Sequence, residues 1–502
     1  MANEKRWEWD ESGKDTVLEV TGEYTLPEYL PEVKRVLRVD LCLFPDGQYT
    51  RDGMVACGGR IRYYILYTAK DGSLSCGMVE GEYTGEVPEK EGAETLVMVK
   101  GEGASCRPLG PRRLSMKANI SLHPLSHSQG EMQESLPQEA GEMELLKTTF
   151  PSSHTTYFHS GDIPLTITIH TDSGTEVLTL EGRVLPRSCL CENGGVKARG
   201  EVFISFLTRG DDGMPHGQKV KIPFEEYIPL EGVTPESKCL LYGSLREISG
   251  MPCETDGGNG MVLDCVLSLY GMVVENGSCE CISDLYSLTY PMEVTTAKAS
   301  SRYYPAILSG CFTIEGSTDR GSMECREADA VLQARGDVIS EGCHFENGEA
   351  VIEGEIRVGG IANGEEGYLP LSFVMPYKLR FALGEEVPMD STLIPRVSCV
   401  NTTAHFEGER VTGVCEVYAT LAAERSTETP YVEEAVVAGE AYPKTDTVKA
   451  VYLADGDSLW SVAKRYHTPL LEVMENNSLP QEILATPSAS YLLDGLTRLV
   501  ID

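Results

Sequence analysis

A diverged internal repeat constrains the fold of this chain more than any other feature of its sequence. Three Asp-Gly or Asn-Gly pairs, at 52–53, 193–194 and 347–348, are each followed seven residues later by a glycine and nine residues later by a β-branched residue. A strand pattern follows each pair, and such a pair between strand patterns predicts a tight hairpin because both residues accept positive φ. The copies begin 141 and 154 residues apart, so each repeat has the size of a domain.

The ends of the three copies also match. Each copy has a run with the pattern of a closing strand, at 114–122, 261–269 and 411–418. Polar stretches that we predict to be linkers, in part exposed, lie near 124–147, 290–302 and 424–448. The chain is therefore predicted to be mainly β, with three repeated β-sandwich or barrel-like domains. The predicted domain boundaries are 1–125, 148–290 and 303–424.

Residues 449–502 have a different pattern. Apolar residues recur there at i, i+3, i+4 and i+7, which is one face of a helix: Leu459, Val462, Ala463 and Tyr466. Asp457 or Ser458 suits the N-cap of this helix, and Thr468 followed by Pro469 indicates the start of a second helix. Short apolar runs at both ends of the segment complete a predicted strand, turn, helix, helix and strand.

The turn at 456–460, the helix end at 463–466 and the Asn476-Asn477 pair resemble a LysM module. LysM modules are small βααβ domains that bind N-acetylglucosamine polymers or, in some settings, protein partners. The stretch after Asn477 is longer than is usual in that family. The resemblance implies that two loops contact the ligand, one after the first strand and one after the second helix. The residues so implied are Asp455, Gly456, Asp457, Ser458, Leu459, Trp460, Asn476, Asn477, Ser478 and Leu479.

Two observations within these loops bear on the kind of ligand. Trp460 lies one residue beyond the apolar helix face, so it is predicted to be either a flank of the core or an exposed stacking anchor. Tryptophan is a favoured residue at protein interfaces. The segment 449–502 carries four Lys or Arg and seven Asp or Glu. This net charge of −3 favours a protein partner over an anionic wall polymer.

The charge and the cysteines of the whole chain narrow the function classes further. A net charge of −35 opposes binding to nucleic acid or to anionic lipid. No run of 18 apolar residues occurs, so no membrane span is expected. The N-terminal segment lacks the apolar region of a secretory signal, so the 16 cysteines are expected to stay reduced in a cytosol.

No catalytic residue, metal site or cofactor is predicted. The best metal candidates are two Cys-x-Cys pairs, Cys189 with Cys191 and Cys279 with Cys281. Zinc sites more often use Cys-x₂-Cys on a turn, and both pairs lie in predicted strands. We therefore expect them to be buried free thiols. Carboxylates are so abundant that a catalytic pair could lie among them.

Three β domains followed by a LysM module resemble the SPOCS-domain/LysM spore coat morphogenetic proteins of endospore-forming bacteria. The resemblance implies a non-catalytic scaffold in the mother-cell cytosol that helps assemble the spore coat at the forespore surface. It implies that the LysM module docks an ATP-hydrolysing morphogenetic protein of the coat's basement layer. The alternative is a protein that binds peptidoglycan or its lipid-linked precursor through N-acetylglucosamine. A wall hydrolase is a third and less favoured alternative.

Overall fold

The computed structural model describes residues 2–90, 93–171, 176–210, 213–255, 258–365, 367–385, 387–443, 448–493 and 496–501. In this part of the chain the protein is mainly β, as the sequence predicts, with its strands in several sheets and two α-helices near the C-terminus. The strands up to Val437 fall into three successive groups, which we call the first, second and third β units. Each unit contains two sheets whose apolar faces meet.

The first β unit contains seven strands: β1 (Ala2–Ser12), β2 (Thr16–Thr25), β3 (Val33–Arg51), β4 (Met54–Ala69), β5 (Leu74–Pro88), β6 (Ala93–Pro108) and β7 (Arg113–Ser135). One antiparallel sheet has the order β3-β4-β5. In the other sheet, β7 pairs with β2, β6 and β1. Ile61 from β4 and Ile120 from β7 are fully buried in the core between the two sheets.

The second β unit contains six strands: β8 (Met143–His170), β9 (Glu176–Glu192), β10 (Gly195–Arg209), β11 (Pro215–Pro229), β12 (Lys238–Thr255) and β13 (Gly258–Ser287). The sheets have the orders β9-β10-β11 and β8-β13-β12, and Phe206 and Leu267 meet in their shared core. A disulfide between Cys189 and Cys239 joins β9 to β12. The predictions that Cys189 is a free thiol and that all 16 cysteines stay reduced are therefore wrong, because the sequence does not show that Cys239 lies opposite Cys189.

The third β unit contains the strands β14 (Met292–Asp319), β15 (Ala328–Glu346), β16 (Glu349–Gly364), β17 (Gly367–Ala382), β18 (Thr392–Glu407) and β19 (Arg410–Val437). One of its sheets has the order β15-β16-β17. On the other side β19 pairs with β14 and β18, and a parallel bridge from Glu434 of β19 to Ser135 of β7 joins these strands to the first unit's second sheet, so the two units share one seven-stranded sheet. Alternate residues of β17, such as Leu371, Phe373 and Met375, are buried and their neighbours are exposed. This period of two is the signature of a strand with one face on a core.

The Asp-Gly and Asn-Gly pairs form the turns between β3 and β4, β9 and β10, and β15 and β16, as predicted. Positive φ angles occur at Asp52 (51°) and Gly53 (74°), at Gly194 (82°), and at Asn347 (52°) and Gly348 (81°). Asp, Asn and Gly are the residues that adopt this region at the lowest energy. The hairpin signal in the sequence therefore has a direct structural cause.

The glycine seven residues after each turn lies where a neighbouring strand comes too close for any side chain. A Cβ atom on Gly59, Gly200 or Gly354 would lie 2.3, 2.3 or 2.0 Å from a backbone carbonyl oxygen of the preceding strand. The pairing of that strand shifts register beside each glycine, as at a β-bulge. An aromatic ring from the third strand of the sheet covers each glycine: Tyr83, Phe224 and Tyr377.

A Gly354→Ala substitution should lower the free energy of unfolding by about 1–3 kcal/mol, because the new methyl group can fit only if two paired strands move apart. Gly359→Ala is the matched control on the same strand, since its Cβ would have no atom within 4 Å. The control should change stability by less than about 1 kcal/mol. Urea denaturation of both variants checks this, and equal midpoints would contradict the proposed backbone clash.

Strands continue through most of the segments that were predicted to be linkers. β7 extends to Ser135, β14 begins at Met292 and β19 ends at Val437. Met132, Phe150 and Tyr431, one from each β unit, are buried together where these strand ends meet. The prediction of linkers is wrong for these segments, because they continue strands and their sparse apolar residues are buried between units. Alternate residues of the stretch 425–430, namely Ser426, Glu428 and Pro430, are exposed.

The C-terminal module comprises residues 448–501. Its elements are β20 (Lys449–Tyr452), α1 (Leu459–Tyr466), α2 (Leu470–Asn476), two 3-10 segments (Gln481–Ala485 and Ser490–Leu493) and β21 (Arg498–Ile501). β20 and β21 pair antiparallel, and the helices pack on them through Leu459, Val473 and Leu499. The order strand, helix, helix, strand is the one that the sequence pattern predicts, whereas the two 3-10 segments between α2 and β21 were not predicted.

Candidate functional site

The first predicted loop of the C-terminal module is built around Asp457. The Asp457 carboxylate accepts a hydrogen bond from the backbone N–H of Ala454 (2.9 Å) and forms a bidentate ion pair with Arg465, whose shorter contact is 2.6 Å. The hydrogen bond from Arg465 lowers the pKa of this carboxyl. Asp457 is buried, so its carboxylate holds the loop against α1 instead of facing a ligand.

Ser458 is the N-cap of α1, which decides between the two predicted caps. Its hydroxyl accepts a hydrogen bond from the N–H of Ser461 (3.1 Å), and the Ser461 hydroxyl accepts one from the N–H of Ser458 (2.9 Å). This reciprocal capping box satisfies two backbone donors at the start of the helix. Leu459 is fully buried in the module core. Asp455 and Gly456, the latter at φ 87°, are the exposed residues of the predicted loop.

The second predicted loop is held by the side chain of Asn477. Its amide nitrogen donates to the carbonyl oxygens of Val473 and Val500, and its amide oxygen accepts from the N–H of Val500, each at 2.7 Å. These three bonds tie α2 to β21. Alanine at Asn477 or at Asp457 would therefore disrupt the module instead of probing a ligand contact. The exposed or half-buried members of this loop are Asn476, Ser478 and Leu479.

Trp460 is buried between the module and the second β unit. Its side chain is 4% exposed, and its ring packs edge-on against Tyr286 with the centroids 5.1 Å apart. Its indole N–H donates to Asp284 Oδ2 at 2.8 Å. Both partners belong to β13. The structure thus shows the core-flanking arrangement for Trp460, and the ring is not an exposed stacking anchor.

Further bonds fix the module on β13. The other oxygen of Asp284 accepts from Lys464 Nζ at 2.5 Å. The Tyr286 hydroxyl donates to the backbone carbonyl of Thr468 at 2.8 Å, and burial raises the pKa of Tyr286, so this hydroxyl keeps its proton. We call these five residues the docking contact: Trp460, Lys464 and Thr468 of the module with Asp284 and Tyr286 of β13.

The docking contact leaves a mixed surface of the module exposed. The exposed polar residues of the two predicted loops are Asp455, Asn476 and Ser478. The module also exposes large apolar side chains: Val448, Tyr452, Leu471, Leu484 and Leu496. A contiguous apolar patch with a polar rim is typical of a protein–protein interface, whereas single exposed apolar residues occur on most protein surfaces.

A buried charge cluster, which sequence reasoning missed, lies where the three β units meet. The Arg38 guanidinium on β3 bonds Asp40 at 2.8 Å and also pairs with Glu181 of β9. Arg335 of β15 approaches the same two carboxylates, at 3.3 and 3.7 Å. Burial raises the pKa of Asp40. It also opposes ionisation of Glu181, but Arg38 and Arg335 outweigh it and lower the pKa of Glu181.

The cluster continues from Arg335 towards β9 and β18. The carboxylate of Asp337 pairs with Arg335 at 3.1 Å and with Arg183 at 2.7 Å. Burial opposes ionisation of Asp337, but these two arginines outweigh it and lower its pKa to about 2. Arg183 also donates to the carbonyls of Gly336 and Cys399, at 2.7 and 2.6 Å. The junction network, defined as Arg38, Asp40, Glu181, Arg183, Arg335 and Asp337, thus links all three units with three charges of each sign.

The predicted metal candidates do not converge on one point. Cys191 and Cys279 are free thiols, as predicted, but they are half-buried instead of buried, and Cys281 is fully buried. Burial raises the pKa of the Cys191 thiol, which keeps it protonated. Across the described ranges, no group of three or more His, Cys, Asp or Glu residues is arranged to hold a metal ion.

No protein-family model, curated protein or solved structure matches this chain. Among the described residues, no helix has the length and apolar character needed to cross a membrane. The function must therefore be inferred from the sequence resemblance and from the contacts of the sites themselves.

Proposed function

We propose that the three β units are copies of one two-sheet domain and that the C-terminal module is a LysM domain. In each unit, the middle strand of the first sheet follows the same tight turn and carries the same crowded glycine under an aromatic ring. Three recurrences of one backbone contact support a shared origin more strongly than sequence spacing does. The antiparallel β20-β21 pair enclosing two helices supports the LysM assignment.

On this basis we infer a non-catalytic scaffold for spore coat assembly in the mother-cell cytosol, at the forespore surface. Its C-terminal module docks a protein partner, which by resemblance is the ATP-hydrolysing morphogenetic protein of the coat's basement layer. The docking contact carries this proposal. It holds one face of the module on β13 through Asp284 and Tyr286, while the loops at Asp455 and Asn476 stay exposed. A site held on a rigid support loses less entropy when it binds.

The side-chain geometry of the two loops favours a protein partner over a glycan. Sugar rings are commonly bound on exposed aromatic faces. The Trp460 ring of the first loop is used against Tyr286, and Tyr452 at the end of β20 is the aromatic ring that remains exposed near this loop. The polar side chains of Asp457 and Asn477 are used within the module. What remains exposed combines an acidic residue, Asp455, with several large apolar side chains. A surface of this kind suits a protein partner that presents apolar and basic groups.

A charge-reversed variant of the full chain, Asp455→Arg with Asn476→Arg, tests the proposal. Both residues are exposed, so the melting temperature should stay unchanged. Capture of the basement-layer partner should weaken at least about ten-fold, because like charges at an interface cost several kcal/mol. In sporulating cells the variant should no longer form a ring around the forespore. Calorimetric titration with N-acetylglucosamine oligomers should give no heat with either protein.

The matched control is Glu385→Arg, which changes the charge of an exposed residue in the third β unit. It should leave partner capture and localisation as in the unmodified protein. The docking role would be contradicted if the unmodified protein bound the oligomers with micromolar affinity and the charge-reversed variant did not. That result would favour recognition of peptidoglycan or its lipid-linked precursor instead. Unchanged partner capture by the charge-reversed variant would also contradict the proposal.

A further inference from the structure

A cavity of about 400 Å³ lies where the three β units meet. Its wall is formed by β6 of the first unit, by β8, β12 and β13 of the second, and by β14, β18 and β19 of the third. Its volume is in the range of pockets that enclose small molecules. The cavity shares no residue with the docking contact or with the two predicted loops.

One wall of the cavity is aromatic. Tyr242 and Tyr270 stack with their ring centroids 5.8 Å apart and their planes at 29°, and Tyr157 and Tyr304 also line the space. The Tyr242 hydroxyl is 3.2 Å from the Thr420 hydroxyl. Burial raises the pKa of Tyr242 and of Tyr270, so both rings stay neutral. A wall of neutral tyrosine rings suits a flat apolar group, which can stack on a ring or meet its edge.

One cation on the cavity wall is not neutralised by an ion pair. In the part of the chain that the structure describes, Arg396 forms no salt bridge with a carboxylate. Glu424, which also lines the cavity, pairs with Arg302 at 2.8 Å. Glu341 lies near enough to interact with the charge of Arg396, but no ion-pair contact joins the two side chains, and the Glu341 oxygen accepts the N–H of Val397 at 2.9 Å. The cavity therefore offers one guanidinium to an incoming anion.

We propose that this cavity is a binding site for a small aromatic carboxylate. The ring lies against Tyr242 and Tyr270, and the carboxylate takes charge-assisted hydrogen bonds from the fork of Arg396. Because all three β units form the wall, the ligand binds only their assembled arrangement and so stabilises it. The net charge of −35 repels anions at long range, so the selectivity for a carboxylate depends on this local cation.

Isothermal calorimetry on the full chain tests the site with three probes of one ring system: 2-naphthoate, 2-naphthylmethanol and 2-naphthylmethylamine. 2-Naphthoate should bind with a Kd below about 1 mM. The neutral alcohol and the cationic amine should each bind at least about ten-fold more weakly, since neither has the two oxygens that accept a pair of hydrogen bonds from the guanidinium. Non-specific binding to the surface of so acidic a protein would give the opposite order of affinities, with the cationic amine bound most tightly.

Two variants and one control locate the binding. Arg396→Gln should weaken 2-naphthoate binding about ten-fold or more and leave the alcohol unchanged. Ala422→Phe, which fills the cavity, should abolish binding of every probe. Arg107→Gln removes an exposed arginine elsewhere in the first β unit and should change nothing. Absence of naphthoate binding at millimolar concentration, equal binding of the amine, or an unchanged Kd in Arg396→Gln would each overturn the assignment.

Discussion

Replacing Arg38 by methionine is expected to lower the free energy of unfolding by about 3–5 kcal/mol. The Arg38 side chain is 9% exposed and lies between the carboxylates of Asp40 and Glu181, which are 4% and 15% exposed. Its removal leaves two buried carboxylates with only Arg335, at 3.3 and 3.7 Å, to balance them. An uncompensated buried charge is among the most destabilising changes that a single substitution can make.

The control for this prediction is Arg113→Met, which breaks an exposed ion pair of the same unit. Arg113 and Glu23 are 2.7 Å apart, with side chains 66% and 61% exposed. Such surface pairs contribute at most about 1 kcal/mol and are screened by salt. Urea denaturation followed by tyrosine and tryptophan fluorescence measures both variants. An equal loss of unfolding free energy in the two variants would show that the junction network does not hold the three β units together.

Trp460→Ala is expected to destabilise the C-terminal module by about 3–5 kcal/mol and to release it from β13. The substitution removes a buried ring that packs against Tyr286 and leaves Asp284 with only Lys464 as a side-chain partner. Hydrogen exchange should then become faster in α1 and in β20, and limited proteolysis should cut the chain within or before the module. The sheets of the first β unit, none of whose described residues belongs to the apolar cluster around Trp460, should keep their protection.

Trp460→Phe separates the two parts of this effect. Phenylalanine keeps most of the ring packing and lacks the indole N–H that donates to Asp284. The module is expected to lose about 1 kcal/mol of stability and should stay docked on β13. If the amide hydrogens of α1 and β20 exchange no faster in Trp460→Ala than in Trp460→Phe, the docking contact is weaker than its geometry indicates. The proposed rigid presentation of the two loops is then wrong.

Local chemistry made the hairpins and the C-terminal elements predictable. Asn347 and Gly348 both adopt positive φ within their own turn, and Ser458 caps α1 with a partner only three residues away, Ser461. The repeat spacing also pointed to Gly354, although the reason for a glycine there is a carbonyl oxygen of the adjacent strand. A determinant within a few residues of its effect can be read from sequence alone.

The roles of the predicted site residues could not be read in the same way. Asp457 and Asn477 have the side chains expected of ligand contacts, and the same side chains suit caps and strand ties. Asn477 reaches Val500, 23 residues away, and Trp460 reaches Asp284, 176 residues away. Residue type and spacing do not distinguish these uses, because the difference depends on which distant element faces the side chain.

The sequence by itself therefore determined the mainly β character, the three tight turns and the order of elements in the C-terminal module. Only the tertiary structure decided that Arg38 is buried between two carboxylates, that Trp460 docks on β13, and that Arg396 lies on the wall of a tyrosine-lined cavity. The physical reason is the range of the interactions. Turn geometry and strand periodicity depend on neighbouring residues, whereas ion pairs, docking contacts and cavities depend on how the faces of three β units come together.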